Sequence, residues 1–342
     1  MEQANLLILG ASGYTGAETV RLAARHPRLR IGGMTADRKA GESLGAVFPH
    51  LATLDLPRLT KIDEVRFEDY DAVVCALPHA TTQQVIKTIP ESVKVADLSA
   101  DFRLENAADY ERWYGGSHQA LDRQKTAVYG LTEFYRDAIA QTALAACPGC
   151  YPTSALMPLV PLLGEKLIDP DAIIIDSKSG VSGAGRAPAE GKLHTEVSEG
   201  MHAYGVGHHR HMAEIDQELS KAAGTAVQAS FTPHLVPMNR GIISTIYVRG
   251  DAEAIHAALA TRFAGEAFVH VLQPGEVPAT RHVRGSNQVR IGVAADRQPG
   301  RTIVVSVLDN LVKGAAGQGL QNLNLMLGFK ETDGLLQEPL FP

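Results

Sequence analysis

The chain has 342 residues, of which 45% are hydrophobic and 20% charged, and a formal net charge of −6. The length predicts roughly two domains, and the composition is that of a soluble globular protein. No basic block marks a nucleic-acid surface, and no apolar run approaches the ~20 residues of a membrane span; with only three cysteines (Cys75, Cys147, Cys150), a secreted disulfide framework is excluded. The opening Met1-Glu2-Gln3-Ala4 has no basic region followed by an apolar core, so the expected compartment is the cytoplasm.

Residues 4–10 form an apolar run ended by glycine, the pattern of a buried parallel strand. Gly10-Ala-Ser-Gly13-Tyr-Thr-Gly16 follows, and residues 17–25 have helical apolar spacing. Strand, glycine turn and helix are the context in which backbone approaches a pyrophosphate and a helix N-terminus meets its oxygens. A second strand at 29–34 ends at Thr35-Ala36-Asp37-Arg38-Lys39. Cations beyond that tip favour a 2′-phosphate, hence NADP over NAD, with Asp37 as the residue that argues the other way.

Further strands are expected at 72–77 and 93–98, with a helix at 80–89 between them. Pro78-His79 ends the first strand at the carboxyl edge of the sheet, where open α/β sheets place ligands. Asp97-Leu-Ser99-Ala-Asp101-Phe-Arg103 ends the second. Arg103 serves there either as a fork for an anionic oxygen or as a partner of Asp97 or Asp101. The nicotinamide end of a dinucleotide is expected between these loops and Cys150.

Cys150 sits in Ala146-Cys-Pro-Gly-Cys150-Tyr-Pro-Thr-Ser-Ala155, after a Pro-Gly turn. A helix beginning at 153 or 154 aims its N–H groups and dipole back at the sulfur, which favours thiolate and an oxyanion site. The alternative is a small buried filler. Cys147 and Cys150 have the C-x-x-C spacing of redox motifs without a thioredoxin-like setting, and a zinc site would have to recruit His208, His209 and His211. No metal is expected.

The helix continues to 166, and a strand at 172–176 leads into Ser177-Lys178-Ser179-Gly180-Val-Ser182-Gly183-Ala-Gly185-Arg186, read as an anion-binding loop or a flexible connection. His208-His209-Arg210-His211 stands at or before the N-terminus of a helix running from 212, the pattern of a neutral acid/base beside an anion clamp. Strands at 226–234, 241–250 and 302–309 suggest a mixed sheet and a dimer surface. A final helix from Asp309, with small residues on one face, is expected to pack back on the nucleotide domain. The fold class is thus α/β: a Rossmann-type doubly wound parallel sheet at 1–149, completed by 312–342, plus an α+β catalytic or dimerisation domain with a large mixed sheet at 150–311.

Taken together, the motifs resemble the N-acetyl-gamma-glutamyl-phosphate reductase family, in the wider group with aspartate-semialdehyde dehydrogenase. The resemblance spans the chain and rests on Gly10–Glu18, Leu98–Arg103, Tyr129–Glu133, Pro148–Thr153, Ser177–Arg186, His209–His211, Pro233–Gly241 and Asp309–Leu311 with Lys313–Gln318. It implies a cysteine thioacyl mechanism on an acyl phosphate with NADPH as hydride donor, and a homodimer or homotetramer. It also implies Cys150 as nucleophile, His209 or His211 as acid/base with His209 favoured, and Arg103 as the phosphate-binding arginine; Lys178 and Arg186, the cations of the Gly/Ser loop, and Arg210, the clamp between the histidines, are read as further substrate contacts. Cofactor contacts fall to Gly10, Ser12, Gly13, Tyr14, Thr15, Gly16, Thr35, Arg38, Lys39, Pro78, Ser179, Gly180, Gly183 and Asn310, with Ser179 also a candidate for the substrate's anionic end.

Cys147 stands where the family is expected to carry a polar non-cysteine residue, and a protective Cys147–Cys150 disulfide is one reading of it. Two other functions fit less well. A reductase of aspartyl or N-blocked aminoadipyl phosphate shares the chemistry; the His-Arg-His and Asn-Arg-Gly motifs favour the N-acetylglutamyl type. A non-catalytic NADP sensor would not need the intact thiol and histidines.

Overall fold

The computed structural model describes residues 3–341. The chain divides into two compact units, one running to Pro148 and taking in Ala315–Leu336, the other comprising Gly149–Gly314 and the residues from Gln337 on. This differs from the expected bounds mainly at the tail. Leu340 donates its N–H to the Arg284 carbonyl at 2.7 Å, which ties the last residues to the second unit.

The first unit holds a parallel sheet of β1 (Ala4–Leu9), β2 (Leu29–Thr35), β3 (Leu59–Thr60), β4 (Ala72–Cys75), β5 (Lys94–Asp97), β6 (Val128–Tyr129) and β7 (Leu144–Ala146). Their order is β3-β2-β1-β4-β5-β7-β6, so the strand order reverses between β1 and β4. Continuous apolar runs explain the parallel pairing: β4 is buried at every residue, as a strand covered on both faces must be. Leu7, Leu9, Val73, Cys75, Val95 and Ala146 build one core layer with Ile86, Ile89 and Phe102.

The helix expected at 80–89 shrinks to Thr82–Ile86, because Ala80 takes a left-handed conformation (φ +66°) that no helix accommodates. The C-terminal helix also starts later than expected. A π-turn at Val312–Ala316 comes first, and the α-helix runs Gly317–Met326. Its buried amides hold the first unit: Asn322 Nδ2 donates to the Gly130 carbonyl at 2.8 Å, and Asn324 Oδ1 meets His26 Nε2 at 2.9 Å.

The second unit holds a mixed sheet of β8 (Ile174–Gly180), β9 (His202–Ala203), β10 (Ser230–Val236), β11 (Ile242–Arg249), β12 (Val269–Val271), β13 (Val289–Ala295) and β14 (Arg301–Leu308), in the order β12-β13-β14-β11-β8-β10-β9. Burial alternates residue by residue along β10 and β11, as on a sheet with one covered face. The covering element is the helix Cys150–Gly164, which packs on β11 and β14 and against the helices His211–Ala223 and Ala252–Arg262. Buried hydroxyls pin it: Ser154 Oγ donates to Ser244 Oγ at 2.9 Å, and Ser244 Oγ meets Ser177 Oγ at 2.7 Å.

Candidate active site

In the second unit, Gly149 is the N-cap and Cys150 the first residue of the 15-residue helix, three or four residues earlier than expected. Pro152 does not delay the start, since a first-turn proline lacks only an N–H that would go unbonded. Cys150 thus stands at the positive dipole end of a helix, a setting that stabilises negative charge.

Three neighbours fix this corner. The Gly149 N–H donates to Glu214 Oε1 at 2.7 Å, and Glu214 is 1% exposed. A β-carbon on Gly149 would come within 2.5 Å of His211 Nε2, so the imidazole lies directly on the backbone before the nucleophile. A β-carbon on Gly314 would come within 2.7 Å of Cys150 Cβ, so the π-turn packs on the nucleophile's other side. Neither Glu214 nor Gly314 was singled out in the sequence, although Glu214 follows His211 by one helical turn, the spacing of two residues that share a face.

His209 and His211 differ sharply. His209 packs among Tyr151, Tyr204 and Phe231 as well as His211. Burial, then the charge of Arg210 and His208, depresses its pKa to about 4. Its Nδ1 accepts the His211 N–H at 3.2 Å, so the neutral ring carries its proton on Nε2. Beside it, Tyr204 OH donates to Tyr151 OH at 3.1 Å and Tyr151 OH to the His234 carbonyl at 3.1 Å; burial pushes the Tyr204 phenol up to about 12.

The remaining candidates of this unit fall into two groups. Ser179, Gly180, Gly183 and Asn310 form one knot. A β-carbon on Gly183 would touch Ser179 Oγ at 3.0 Å and Asn310 Nδ2 at 3.6 Å, and one on Gly180 would meet the Asn239–Arg240 peptide at 2.8 Å. Asn310 is 2% exposed, accepts the Gly241 N–H at 2.8 Å and donates to Ser182 Oγ at 3.0 Å. Lys178 stands apart, because β8 runs on to Gly180 and Lys178 is a strand residue rather than part of a loop. Ser177 and Ser179 are buried, Ser177 on the helix-covered face, whereas Lys178 alternates with them and pairs with Asp176 at 2.6 Å. Arg186 and Arg210 are exposed.

In the first unit, the glycine turn is shaped for close approach. Gly10 has φ +79°, and a β-carbon on Gly16 would lie 2.3 Å from the Gly10 carbonyl oxygen. The helix begins at Tyr14, so Ser12, Gly13, Tyr14 and Thr15 present its N-terminus, the surroundings a pyrophosphate requires. Thr35 is 2% exposed and its Oγ1 accepts the Gly10 N–H at 3.2 Å, bracing the turn. Arg38 and Lys39 are exposed, with Lys39 paired to Glu42 at 3.0 Å.

Pro78 is exposed at the carboxyl end of β4. Arg103 is 5% exposed; its Nε donates to the Cys147 carbonyl at 2.8 Å and one Nη to the Leu98 carbonyl at 3.0 Å, so much of the guanidinium is engaged in holding loops. Cys147 is fully buried with Asn322 Nδ2 at 3.5 Å from its sulfur, and burial pushes its thiol up to about 12. Such a thiol stays neutral, which is the opposite of what a resolving cysteine needs, and the cysteines are free. Among the described residues, no group of three or more His, Cys, Asp and Glu is arranged to hold a metal ion, and no helix is long and apolar enough to cross a membrane.

Comparison with known proteins agrees with this architecture. Residues 5–142 match the family described as "Semialdehyde dehydrogenase, NAD binding domain", and residues 150–310 "Semialdehyde dehydrogenase, dimerisation domain". The solved aspartate semialdehyde dehydrogenase II from Vibrio cholerae has a TM-score of 0.72 at 17% identity, covering 95% of this chain and 99% of its own. The aspartate semialdehyde dehydrogenase from Candida albicans, solved with NADP, reaches 0.69 at 19% identity, covering 95% and 98%. These show the fold. Among curated relatives, N-acetyl-gamma-glutamyl-phosphate reductase from Rhodospirillum rubrum is 60% identical over 100% of this chain and 99% of its own length, and that of Afipia carboxidovorans 58% over 99% of each. A relative from Arabidopsis thaliana named as the probable chloroplastic enzyme is 56% identical over 98% of this chain and 84% of its own. With full-length identity of this order, the chain belongs to the N-acetyl-gamma-glutamyl-phosphate reductase family.

Proposed function

We propose that the chain catalyses the NADPH-dependent reductive dephosphorylation of N-acetyl-L-glutamyl 5-phosphate to N-acetyl-L-glutamate 5-semialdehyde, a step of arginine biosynthesis. The observation that carries this reading is Cys150 at a helix N-terminus with the His211 imidazole on the preceding residue. Cys150 Sγ attacks the acyl carbon, the bond to the phosphate oxygen breaks, and phosphate leaves with the electron pair. The positive dipole end of the helix that Cys150 opens stabilises the oxyanion on the way to the thioacyl enzyme. The glycine turn 10–16 with Thr35, Arg38, Lys39 and Pro78 would hold NADPH, which when bound would supply the hydride for reducing the thioester on Cys150 to a thiohemiacetal. Loss of aldehyde then frees the thiolate.

We assign the proton steps to His211 rather than His209. The support is geometric: His211 lies over Gly149, while His209 is enclosed by aromatic rings and kept neutral, with Nδ1 already accepting a hydrogen bond. Arg210 and Arg186, both exposed, are assigned to the anionic groups of the substrate, with Arg103 sharing its guanidinium between that role and its carbonyl partners. Ser179, Gly180, Gly183 and Asn310 are assigned a supporting place in cofactor binding. Lys178, paired with Asp176, is the weakest member of the substrate set.

We assign a homodimer or homotetramer, supported by the matched dimerisation domain, and a cytoplasmic setting, where a thiol nucleophile stays reduced. The test runs the reaction backwards: N-acetylglutamate semialdehyde, phosphate and NADP, followed by NADPH absorbance, for wild type and Cys150→Ser. NADPH from the wild type alone is expected. Turnover of aspartate semialdehyde or a longer homologue in its place would move the substrate and leave the chemistry.

A further inference from the structure

The first unit contains a strained residue and a buried carboxylate that hold each other, and neither belongs to the chemistry above. Ala80 is one of only three non-glycine residues with positive φ among those described, at +66°. A left-handed alanine persists only where its surroundings impose it. The surroundings here are Asp101, which is fully buried. Its Oδ1 accepts the Ala80 N–H at 2.8 Å and the Tyr110 hydroxyl at 3.0 Å; its Oδ2 accepts the Thr82 N–H at 3.1 Å and the Thr82 hydroxyl. A second brace runs in the other direction, from the Ala100 N–H to His79 Nδ1 at 2.9 Å. The turn so held, Pro78–Thr82, leaves β4 at the carboxyl edge, beside the point where strand order reverses. The two residues that lead into it lie against the glycine turn: a β-carbon on Gly10 would meet the Ala76 carbonyl at 2.5 Å and Leu77 Cδ2 at 3.4 Å.

We propose that Asp101 is a positioning residue for the dinucleotide, setting the Pro78–Thr82 turn in its left-handed form as the wall against which the cofactor lies beside the glycine turn. This rests on the reading of the glycine turn as the NADP site. A carboxylate is suited to the task because it only accepts, and all four of its partners donate. Asn would turn an N–H toward one of those donors, leaving a buried mismatch in place of a hydrogen bond. The strain at Ala80 is stored in the turn itself, so relief of that strain should substitute for part of what Asp101 does.

The experiment measures NADPH binding to the whole protein by the fluorescence of bound NADPH, with iodoacetamide labelling of Cys150 as a measure of the second unit's integrity. For Asp101→Asn the expected result is a rise in Kd of about tenfold or more, with the labelling rate of Cys150 unchanged. Adding Ala80→Gly to that variant is expected to recover about threefold, because glycine adopts positive φ without cost. A merely structural carboxylate would lower the thermal midpoint of Asp101→Asn and leave its Kd for NADPH unchanged at temperatures where the variant is still folded. Ala80→Val tests the exposed turn without touching the buried group, and is expected to weaken binding through the β-branched side chain's aversion to positive φ. The inference falls if Asp101→Asn or Ala80→Val binds NADPH as tightly as wild type, or if Ala80→Gly restores nothing. Absence of NADPH binding by the wild type would instead overturn the cofactor reading and this inference with it.

Discussion

His211 and Gly149 are in direct contact: a β-carbon on the glycine would lie 2.5 Å from the imidazole Nε2, and the next residue is Cys150. The imidazole is thereby fixed by the backbone of the nucleophile's own turn, and Glu214 holds the N–H of the same glycine. His211→Asn is expected to lower kcat by about 10²- to 10⁴-fold, the range of one acid/base group, and to remove the corresponding limb from the pH–rate profile. His209→Asn is expected to cost far less in kcat. Equal losses from the two variants, measured at saturating substrates, would count against the assignment to His211.

On the other side of Cys150, Gly314 offers a second test of how tightly the nucleophile is confined. An alanine there would collide with Cys150 Cβ at 2.7 Å and Cα at 3.2 Å, atoms that no side-chain rotation can move away. Gly314→Ala is expected to destabilise the protein by about 1–3 kcal/mol, as overpacking does. With the sulfur displaced, kcat should fall by about 10²-fold while KM changes little. Thermal unfolding and steady-state kinetics on the same preparation separate the two effects.

These two contacts also show which parts of the site a linear reading reaches. Gly10, Gly13, Gly16 and Cys150 were legible because each is announced by its local context: an apolar strand before a glycine turn, or a Pro-Gly turn before a helix. Gly314 carries no such announcement, since its partner lies 164 positions away and the π-turn that brings it there is not encoded by apolar spacing. The same holds for Ala80. Its neighbours read as helix, and a carboxylate 21 residues later overrides them. Lys178 is a different case. Strand alternation opposite Ser177 and Ser179 was available in the sequence, but the glycines after it favoured a loop, and the strand continues to Gly180. Two-residue strands such as β3 and β6 are too short to leave a periodic signal.

The buried neutral state of His209 makes stability depend on pH. Its folded pKa of about 4 lies below the ordinary imidazole value of 6.5, so between these values the unfolded chain binds more protons. Stability from this residue is therefore complete above about pH 6.5 and is lost as pH falls toward 4, by at most about 1.4 kcal/mol per unit. Asp97 opposes this, since burial raises its carboxyl to about 7 and its contribution is lost as pH rises toward that value. The comparison that isolates His209 is wild type against His209→Asn in urea unfolding at pH 5 and pH 7. The difference between the two proteins should be larger at pH 7, and a difference independent of pH would contradict the shifted titration.

The three thiols should differ in reactivity by position rather than by sequence. Cys75 and Cys147 are fully buried, with Cys75 raised by burial and by Asp97, and Cys147 pushed up to about 12. Cys150 is partly exposed at a helix N-terminus. Brief treatment with iodoacetamide near neutral pH is expected to modify Cys150 alone and to abolish turnover in step with that modification, while Cys147→Ser leaves the labelling of Cys150 intact. Mild peroxide is expected to oxidise Cys150 to its sulfenic or sulfinic acid without a link to Cys147. Peptide mapping reads both experiments. A Cys147–Cys150 disulfide in the map would mean that the buried thiol becomes exposed and ionised in solution, and would restore the protective role read from a thiol three residues before the nucleophile.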